Sequence, residues 1–405
     1  MKNKTIIAPA SRLGEVKEYY FSTKLREIAE MRTQGKEVLN LGIGSPDLPP
    51  PADVLEELID QAHIPENHGY QSYTGLPALR SAFAHWYRNW FEVKLDPERE
   101  ILPLIGSKEG IMHISMTYLE AGDEVLVPNP GYPAYQAVAN LTGATIREYR
   151  LEPSLGWQVD LEALEKQDLQ KVKLMWVNYP NMPTGTPASH DFFEKLIAFA
   201  HRNQILVCND NPYAFILNEN PISLLSIDGA MDVALELNSL SKAHNMAGWR
   251  VGMLAGDQQY ISTILRFKSN MDSGMFKPVQ LAAVKALHSP PSWYKSLNRV
   301  YQERRKIVFE LMDLLGCSYN PNQVGLFVWG KIPAGYADGF ELSDEILYKT
   351  YVFITPGGIF GSQGNPYIRI SLCSDGVLFR EAIRRIKILR QQISTPANPV
   401  KPIQI

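Results

Sequence analysis

The 405-residue sequence has few of the features that mark membrane, secreted or nucleic-acid-binding proteins. Its three cysteines lie far apart and form no CxxC pair, so neither a disulfide framework nor a cysteine metal site is expected. No run of about 18 apolar residues occurs, and the N-terminus has no apolar signal core. The formal net charge of −3 provides no basic field for nucleic acid or acidic membranes. We therefore expect a cytoplasmic protein with no metal, membrane or nucleic-acid partner.

The middle of the chain alternates short apolar runs with helical patterns. The runs Val125–Val127 and Leu174–Val177 each end at proline or polar residues, and "QILVCND", "DVALELN" and "RVGMLAG" are further examples. An amphipathic pattern over residues 190–202 predicts a helix between two of these runs. Short buried strands separated by helices predict an α/β protein with a mostly parallel, doubly wound sheet.

The pattern changes after about residue 290. One long helical stretch is followed by shorter strand patterns, "GLFVWG" and "YIRISL". We predict a large domain over residues 45–288 and a smaller α+β domain formed by residues 1–44 and 289–405. The C-terminal tail "QQISTPANPVKPIQI" is rich in proline and polar residues, which predicts a surface strap or a disordered end.

Polar residues follow several predicted strands, at the sheet edge where open α/β proteins bind ligands. Gly106-Ser107-Lys108 opens a helical pattern, and the free amides of such a turn bind anions, although an ordinary capped helix start has the same sequence. Tyr132 in "PNPGYPAY" lies in a rigid turn. It can either stack on a flat ring or pack beneath the turn.

Two further strand ends contain groups that suit catalysis. Asp210 ends a buried run, with Tyr213 three residues on, and its carboxylate either meets a partner or forms a turn. Lys242 lies in "SLSKAHNMAGWR". A desolvated lysine near other cations has a lowered pKa and becomes nucleophilic, whereas most lysines are solvated surface groups. Ser239 and Arg250 flank Lys242 and can hold a phosphate, the arginine through a bidentate fork.

Arg369 lies between apolar neighbours in "NPYIRIS", and a buried arginine needs an anion from the protein or from a substrate. The sequence thus offers an anion turn, a stacking aromatic, a buried carboxylate, an amine nucleophile and a second arginine. This set suits pyridoxal 5′-phosphate.

Seven sequence blocks resemble, in order and spacing, the class I/II aminotransferases of fold type I. The blocks are "YQSYTGLPALR", "GSKEG", "PNPGYPAY", "NYPNMPTG", "NDNPY", "SLSKAHNMAGWRVG" and "YIRIS". "KSNMDSGMFKPVQ" is similar to the branch that contains alanine and LL-diaminopimelate aminotransferases. The resemblance implies a pyridoxal-phosphate-dependent enzyme that moves an amino group between an α-amino acid and a 2-oxo acid, the latter 2-oxoglutarate or pyruvate.

The resemblance also implies roles for the residues at the cofactor. Lys242 would form the Schiff base and carry the proton at the substrate α-carbon. Asp210 would pair with the pyridinium nitrogen, and Tyr213 would hydrogen-bond the ring hydroxyl. Tyr132 would stack on the ring. The phosphate would be held by Gly106, Ser107, Lys108, Ser239 and Arg250.

Substrate binding and assembly are implied in the same way. Arg369 would take the substrate α-carboxylate, with the Gly44 amide helping. Tyr70 would reach the phosphate of a neighbouring subunit, which implies a homodimer with shared active sites. No second arginine can be assigned to a distal carboxylate, so the resemblance does not name the amino donor.

One position departs from the family pattern. Where the family reads Asn-Pro-Thr-Gly, and the asparagine contacts the ring hydroxyl and the substrate carboxylate, this chain has Met182. Methionine cannot donate that hydrogen bond, which is worth about 0.5–1.5 kcal/mol. Either Asn181 takes over the contacts to cofactor and substrate, or Tyr213 alone serves the ring hydroxyl.

Two other functions remain open at this point. A carbon–sulfur β-lyase of the same fold would use the same cofactor residues, so the motifs do not separate it from a transaminase. A regulator with an aminotransferase-like sensing domain would need a DNA-binding module. The residues before "LNLGIG" are too few for a winged helix, and the chain is not basic.

Overall fold

The structure is a computed structural model that describes residues 7–14, 16 and 18–394. The β-strands are β1 (Leu39–Asn40), β2 (Ile101–Leu104), β3 (Glu124–Asn129), β4 (Thr145–Arg150), β5 (Val172–Val177), β6 (Leu206–Asp210), β7 (Ala234–Ser239), β8 (Gly252–Gly256), β9 (Ser318–Tyr319), β10 (Phe327–Lys331), β11 (Val352–Phe353), β12 (Thr355–Pro356) and β13 (Tyr367–Ser371).

The α-helices are α1 (Tyr20–Thr33), α2 (Ala52–Ala62), α3 (Pro77–Phe91), α4 (Ser107–Tyr118), α5 (Pro133–Thr142), α6 (Leu161–Glu165), α7 (His190–Asn203), α8 (Ala230–Val233), α9 (Leu240–Ala243), α10 (Gln258–Lys268), α11 (Lys277–Leu287), α12 (Pro291–Leu315), α13 (Gly339–Thr350) and α14 (Gly376–Ser394). The predicted helices near residues 190 and 290 are therefore α7 and α12.

The central layer is a seven-stranded sheet with the order β2-β8-β7-β6-β5-β3-β4. Strands β4, β3, β5, β6 and β7 pair in parallel, and β8 runs antiparallel to both of its neighbours. Successive residues of β5 enter two separate apolar cores, with Met175 in one and Trp176 in the other. Both sheet faces are therefore covered, which explains the continuous apolar runs. The predicted α/β fold with a mostly parallel, doubly wound sheet is confirmed.

A second region supplies the opposite wall of the site. Strands β12-β13-β10-β9 form an antiparallel sheet, and β1 pairs in parallel with β11. Arg369 lies in the middle of β13, opposite Trp329 of β10 and Thr355 of β12. Helix α1 packs here through Phe21, and its neighbours in this small core include Phe353. The domain boundaries at residues 45 and 288 stay a prediction.

The C-terminal tail differs in part from its prediction. Residues 391–394 belong to α14, while residues 395–405 lie outside the described part. Within the described ranges, every helix is too short or too polar to cross a bilayer.

Candidate active site

A cavity of about 630 Å³ lies where the carboxyl ends of the central strands face β10, β13 and the start of α1. Its volume is in the range of small-molecule sites. Ten residues predicted from sequence line it: Gly44, Ser107, Lys108, Tyr132, Asp210, Tyr213, Ser239, Lys242, Arg250 and Arg369.

Lys242 projects into this cavity from α9, the short helix that begins directly after β7. Its Nζ donates a hydrogen bond to the carbonyl oxygen of Gly44 at 2.7 Å. Burial lowers the pKa of the amine, and the positive charges of Arg369 and Arg250 lower it further. A neutral amine is a nucleophile and a base, so the environment prepares Lys242 for either role.

Asp210 ends β6 and is buried beside the same cavity. Its Oδ2 accepts a hydrogen bond from the Tyr135 hydroxyl at 3.0 Å, while its Oδ1 has no partner among the described residues. Burial raises the pKa of this carboxyl to about 6. The Tyr135 ring is held by stacking on Trp176, with centroids 5.2 Å apart. An unpaired buried carboxylate oxygen is costly, so Oδ1 is suited to a cationic ligand group.

The anion turn lies between β2 and α4. Gly106 has φ 81°, and a Cβ there would lie 2.1 Å from Nη2 of Arg250. Only glycine therefore allows the turn and the guanidinium to approach this closely. Ser239 Oγ donates to Ser241 Oγ at 2.9 Å, and Ser241 Oγ also accepts a longer bond from Arg250. These hydroxyls, the guanidinium and the first amides of α4 form an anion site.

The side chain of Lys108 does not follow the prediction of a phosphate ligand. Its Nζ lies 5.3 Å from the centroid of the Tyr19 ring, at the start of α1. This cation–π contact draws the ammonium toward the α1 wall of the cavity. The backbone N–H of Lys108, in the first turn of α4, remains available to an anion.

The two predicted aromatics both line the cavity, and each packs against a further ring. Tyr132 contacts Tyr135 edge-on, with ring centroids 5.6 Å apart, and Tyr213 contacts Phe327 in the same manner at 5.9 Å. Burial raises the pKa of both phenols, so both hydroxyls are neutral donors. The cavity therefore has aromatic lining residues of the kind that contact a flat ring.

Arg369 is buried and only weakly paired. Its Nη2 donates to the Gly42 carbonyl at 2.9 Å, its Nη1 donates to Met182 Sδ at 3.2 Å, and its Nε has no partner among the described residues. The guanidinium lies 3.8 Å from the Phe327 ring centroid and 4.6 Å from that of Phe360. Burial lowers its pKa to about 10, so it remains charged. An enclosed cation with neutral acceptors provides a binding site for a carboxylate.

Asn181 is directed away from the cavity, contrary to its expected role. Its Nδ2 donates to the Asn178 carbonyl at 3.2 Å, and its Oδ1 accepts from Thr184 Oγ1 at 2.7 Å. Met182 lines the cavity in its place, together with Asn178. The side-chain amide of Asn181 is thus used within its own loop, and the structure does not support contacts to cofactor or substrate.

Tyr70 does not line this chain's cavity, and the residue is 97% exposed. Sequence reasoning missed several cavity residues, among them Tyr19, Phe21 and Leu25 of the α1 region and Ser241. Ser241 could have been found, because it lies beside Lys242 in a block already identified. The α1 residues gave no such signal, because they precede the first matched block.

The cavity fits pyridoxal 5′-phosphate. Asp210 Oδ1 is free for a protonated ring nitrogen, Lys242 offers an amine for the carbonyl carbon, and the anion turn suits the phosphate. The sheet and the cavity together indicate a fold-type-I enzyme that depends on this cofactor.

Comparisons with known proteins identify the family. The family model for aminotransferase class I and II matches residues 36–386. An LL-diaminopimelate aminotransferase of Dehalococcoides mccartyi is 40% identical over 385 residues, covering 95% of this chain and 99% of the relative. One from Moorella thermoacetica is 41% identical over 380 residues, covering 93% and 97%. The apo-BacF structure from Bacillus subtilis is similar with a TM-score of 0.91 and 35% identity, covering 95% and 98%.

The chain therefore belongs to the class I and II aminotransferase family. It is a pyridoxal-phosphate-dependent transaminase, and the carbon–sulfur lyase alternative is not favoured.

Proposed function

We propose that Lys242 is the amine that binds pyridoxal 5′-phosphate covalently during amino-group transfer between an α-amino acid and a 2-oxo acid. The observation behind this proposal is that Lys242 and Asp210, whose Oδ1 has no partner among the described residues, line the same cavity. When bound, the cofactor supplies an electron-withdrawing ring that stabilises negative charge at the substrate α-carbon. The protein residues bind, orient and move protons around it.

Lys242 is the proton carrier of the reaction. Its lowered pKa keeps a fraction of the amine neutral, so the released amine can take the proton from the substrate α-carbon. The Gly44 carbonyl, 2.7 Å away, directs the amine toward the β10–β13 side of the cavity, where the α-carboxylate binds.

Asp210 holds the ring nitrogen in its protonated form. A nearby cation lowers the pKa of a buried carboxyl, so pairing with the pyridinium would keep Asp210 ionised. Tyr135 fixes the carboxylate orientation through Oδ2. Tyr132 would stack on the ring, and Tyr213 would donate to the ring hydroxyl as the neutral phenol that its raised pKa implies.

The phosphate binds at the anion turn. Ser107 and Lys108 donate their backbone N–H groups at the N-terminus of α4, where the helix dipole favours negative charge. Ser239, Ser241 and Arg250 add two hydroxyls and a guanidinium. Arg369, with the Gly44 N–H, binds the substrate α-carboxylate, because its guanidinium has only neutral partners.

LL-diaminopimelate is the amino donor that we propose, with 2-oxoglutarate or pyruvate as acceptor. The support is the roughly 40% identity to LL-diaminopimelate aminotransferases over more than 90% of the chain. Lys108 lines the cavity, and its ammonium lies over the Tyr19 ring. This cation has no role in the cofactor contacts proposed above, so it is suited to bind the second carboxylate of the donor.

Purified protein with pyridoxal 5′-phosphate, LL-diaminopimelate and 2-oxoglutarate should form glutamate, and Lys242→Ala should abolish both this activity and the visible absorption band of the lysine-bound cofactor. Lys24→Ala, at a buried lysine outside the cavity that pairs with Glu27 and Asp344, is the matched control for the loss of that band. Release of pyruvate and ammonia from cystathionine without transfer to any 2-oxo acid would refute a transaminase. If glutamate forms only with other amino donors, LL-diaminopimelate is not the donor.

The working form that we propose is a homodimer in which Tyr70 completes the partner's phosphate site. The exposed Tyr70 ring is accompanied by other exposed apolar side chains, including Tyr73, Met271 and Phe276. Mixing inactive Lys242→Ala and Tyr70→Phe proteins would restore roughly one quarter of full activity, because only one site of each mixed dimer has both residues. If sedimentation shows that the mixed proteins are dimeric and yet no activity is recovered, the shared site is excluded.

We also propose a cytoplasmic location. The support is that Cys208, Cys317 and Cys373 are all buried free thiols, which suits a reducing compartment. Cell fractionation with an antibody tests this, and recovery in a secreted fraction would contradict it.

A further inference from the structure

A compact charged cluster lies outside the cavity, between α4 and the end of α10. Lys268 Nζ is 2.6 Å from Asp272 Oδ1, and His113 Nε2 is 3.2 Å from Glu109 Oε1 and 3.9 Å from Asp272 Oδ2. Each of these four side chains is 13% exposed or less. The reaction described above uses none of them. Because the Lys268 ammonium already neutralises Asp272, the cluster is an ion-pair network within the protein.

At one end of the cluster, Glu109 forms hydrogen bonds with the backbone of the anion turn. Its Oε2 accepts the backbone N–H of Ile105 at 2.5 Å, and its own N–H donates to the Gly106 carbonyl at 3.2 Å. The carboxylate therefore spans the turn whose next amides, at Ser107 and Lys108, face the phosphate site. A shift of Glu109 would move those donors directly.

At the other end, Asp272 fixes the segment between α10 and α11. The backbone N–H of Asp272 donates to the Lys268 carbonyl at 3.0 Å. Two residues on, Gly274 forms a β-bridge with Gln71, and a Cβ at Gly274 would lie 2.2 Å from the Ser72 carbonyl oxygen. This contact is backbone against backbone, so the segment after Asp272 sets the position of Gln71 and of its neighbour Tyr70.

We propose that Glu109 and Asp272 are a positioning pair that couples the phosphate turn of one active site to the Tyr70 segment that serves the other. The proposal rests on the homodimer proposed above. Burial would raise the pKa of Glu109, but the neighbouring His113 and Asp272 and the hydrogen bond from the Ile105 N–H lower it, whereas burial and the nearby Glu109 raise the pKa of Asp272. The imidazole of His113 links the two carboxyl groups, because its Nε2 lies 3.2 Å from Glu109 Oε1 and 3.9 Å from Asp272 Oδ2.

The first test separates phosphate positioning from general stability. Apoprotein variants Glu109→Gln and Asp272→Asn are titrated with pyridoxal 5′-phosphate and with pyridoxal, which lacks the phosphate. We expect about tenfold weaker binding of the phosphate form, as for one charge-assisted hydrogen bond, and pyridoxal binding within about twofold of wild type. The control is Glu345→Gln, which removes a similarly buried carboxylate that pairs with Lys349 in α13, and it should change neither affinity.

Equal losses for both ligands, or no loss for either, would overturn the positioning role. If Asp272→Asn does not fold, the isosteric Glu109→Gln decides the question in the same titration. Failure of wild-type protein to bind the cofactor at Lys242 would instead refute the proposed function, and borohydride reduction followed by peptide mass spectrometry distinguishes the two cases.

The second test isolates the coupling between subunits. Wild-type chains are mixed with a chain that has both Lys242→Ala and Asp272→Asn, so the working site of each hybrid has its own Glu109 and Asp272 but the altered partner's Tyr70 segment. We expect cofactor affinity at that site to fall severalfold below that of hybrids made with Lys242→Ala alone. Equal affinities in the two hybrids would show that Asp272 acts only within its own subunit and would overturn the coupling.

Discussion

The carbonyl oxygen of Gly44 accepts a hydrogen bond from Lys242 although the two residues are 198 positions apart in the chain. The loop after β1 thereby reaches the lysine that follows β7. This approach requires glycine, because a Cβ at residue 44 would lie 2.3 Å from Cζ of Phe327. The same Phe327 ring lies 3.8 Å from the Arg369 guanidinium. Gly44 thus lies between the Lys242 amine and the packing of Arg369, the two groups that we propose bind the cofactor and the substrate.

Gly44→Ala should weaken substrate binding more than cofactor binding. The new methyl group must displace Phe327, and with it the packing of Arg369, at an overpacking cost of about 1–3 kcal/mol. We expect KM for the amino donor to rise about tenfold or more, with cofactor affinity nearly unchanged. Steady-state kinetics and a cofactor titration measure the two effects. Gly248→Ala, at an exposed glycine outside the left-handed region where the added methyl meets nothing within 4 Å, is the control for an altered loop glycine. If substrate and cofactor binding weaken by the same factor, Gly44 does not act through Phe327 and Arg369.

Asp210→Asn should flatten the pH dependence of apoprotein stability. The pKa of Asp210 is raised by burial from 3.8 to about 6, so the folded apoprotein retains this proton where the unfolded chain has lost it. The stabilisation is complete below 3.8 and is lost as the pH rises through about 6. The shift corresponds to roughly 3 kcal/mol. Thermal unfolding of apoprotein across this range measures the slope. An unchanged slope in Asp210→Asn would exclude Asp210 as its source.

Several features of the site could be predicted because neighbours in sequence remain neighbours in space. Asp210 and Ser239 end parallel strands, so the fold brings them to one edge. Lys242 follows Ser239 in the same short turn. Burial on both sheet faces produced the apolar runs that marked these strands, and the order of the runs then indicated a doubly wound sheet.

Side-chain direction could not be predicted in this way. Asn181 and Met182 are adjacent, yet only Met182 lines the cavity, because the Asn181 amide binds Thr184 and Asn178 within the loop. Lys108 contributes its backbone to the anion turn, while its ammonium lies over the Tyr19 ring. Tyr19 itself is brought to the cavity by packing of α1, an association over long sequence distance that local patterns do not encode.

Arg369→Lys should impair both halves of the transamination equally. The amino acid and the 2-oxo acid share the α-carboxylate, and lysine cannot reproduce the two-pronged contact of a guanidinium. Loss of a charge-assisted hydrogen bond of about 1.5–3 kcal/mol predicts a ten- to hundredfold fall in kcat/KM for each substrate. Half-reactions followed by cofactor absorbance measure each direction separately. A fall for only one of the two substrates would show that Arg369 does not bind their common group.

Glu236→Ala should lower global stability without changing the chemistry of folded molecules. Glu236 is fully buried in β7 and accepts four hydrogen bonds, from the Tyr87 hydroxyl, Asn209 Nδ2, Ser223 Oγ and the Leu224 N–H, all within 3.0 Å. Alanine leaves these four donors buried without an acceptor. Breaking a buried charged network in this way costs about 3–5 kcal/mol.

Urea unfolding of the apoprotein measures this loss for Glu236→Ala, with kcat per bound cofactor as the second readout. Glu303→Ala, which removes an exposed and solvent-screened ion pair with Lys306, should leave stability nearly unchanged and serves as the control. The four donors come from β6, α3 and the loop before α8, so their common acceptor connects the strand that ends at Asp210 with the strand that ends at Ser239. A loss no larger than that of the control would mean that packing alone, rather than this carboxylate, holds the two strand ends in place.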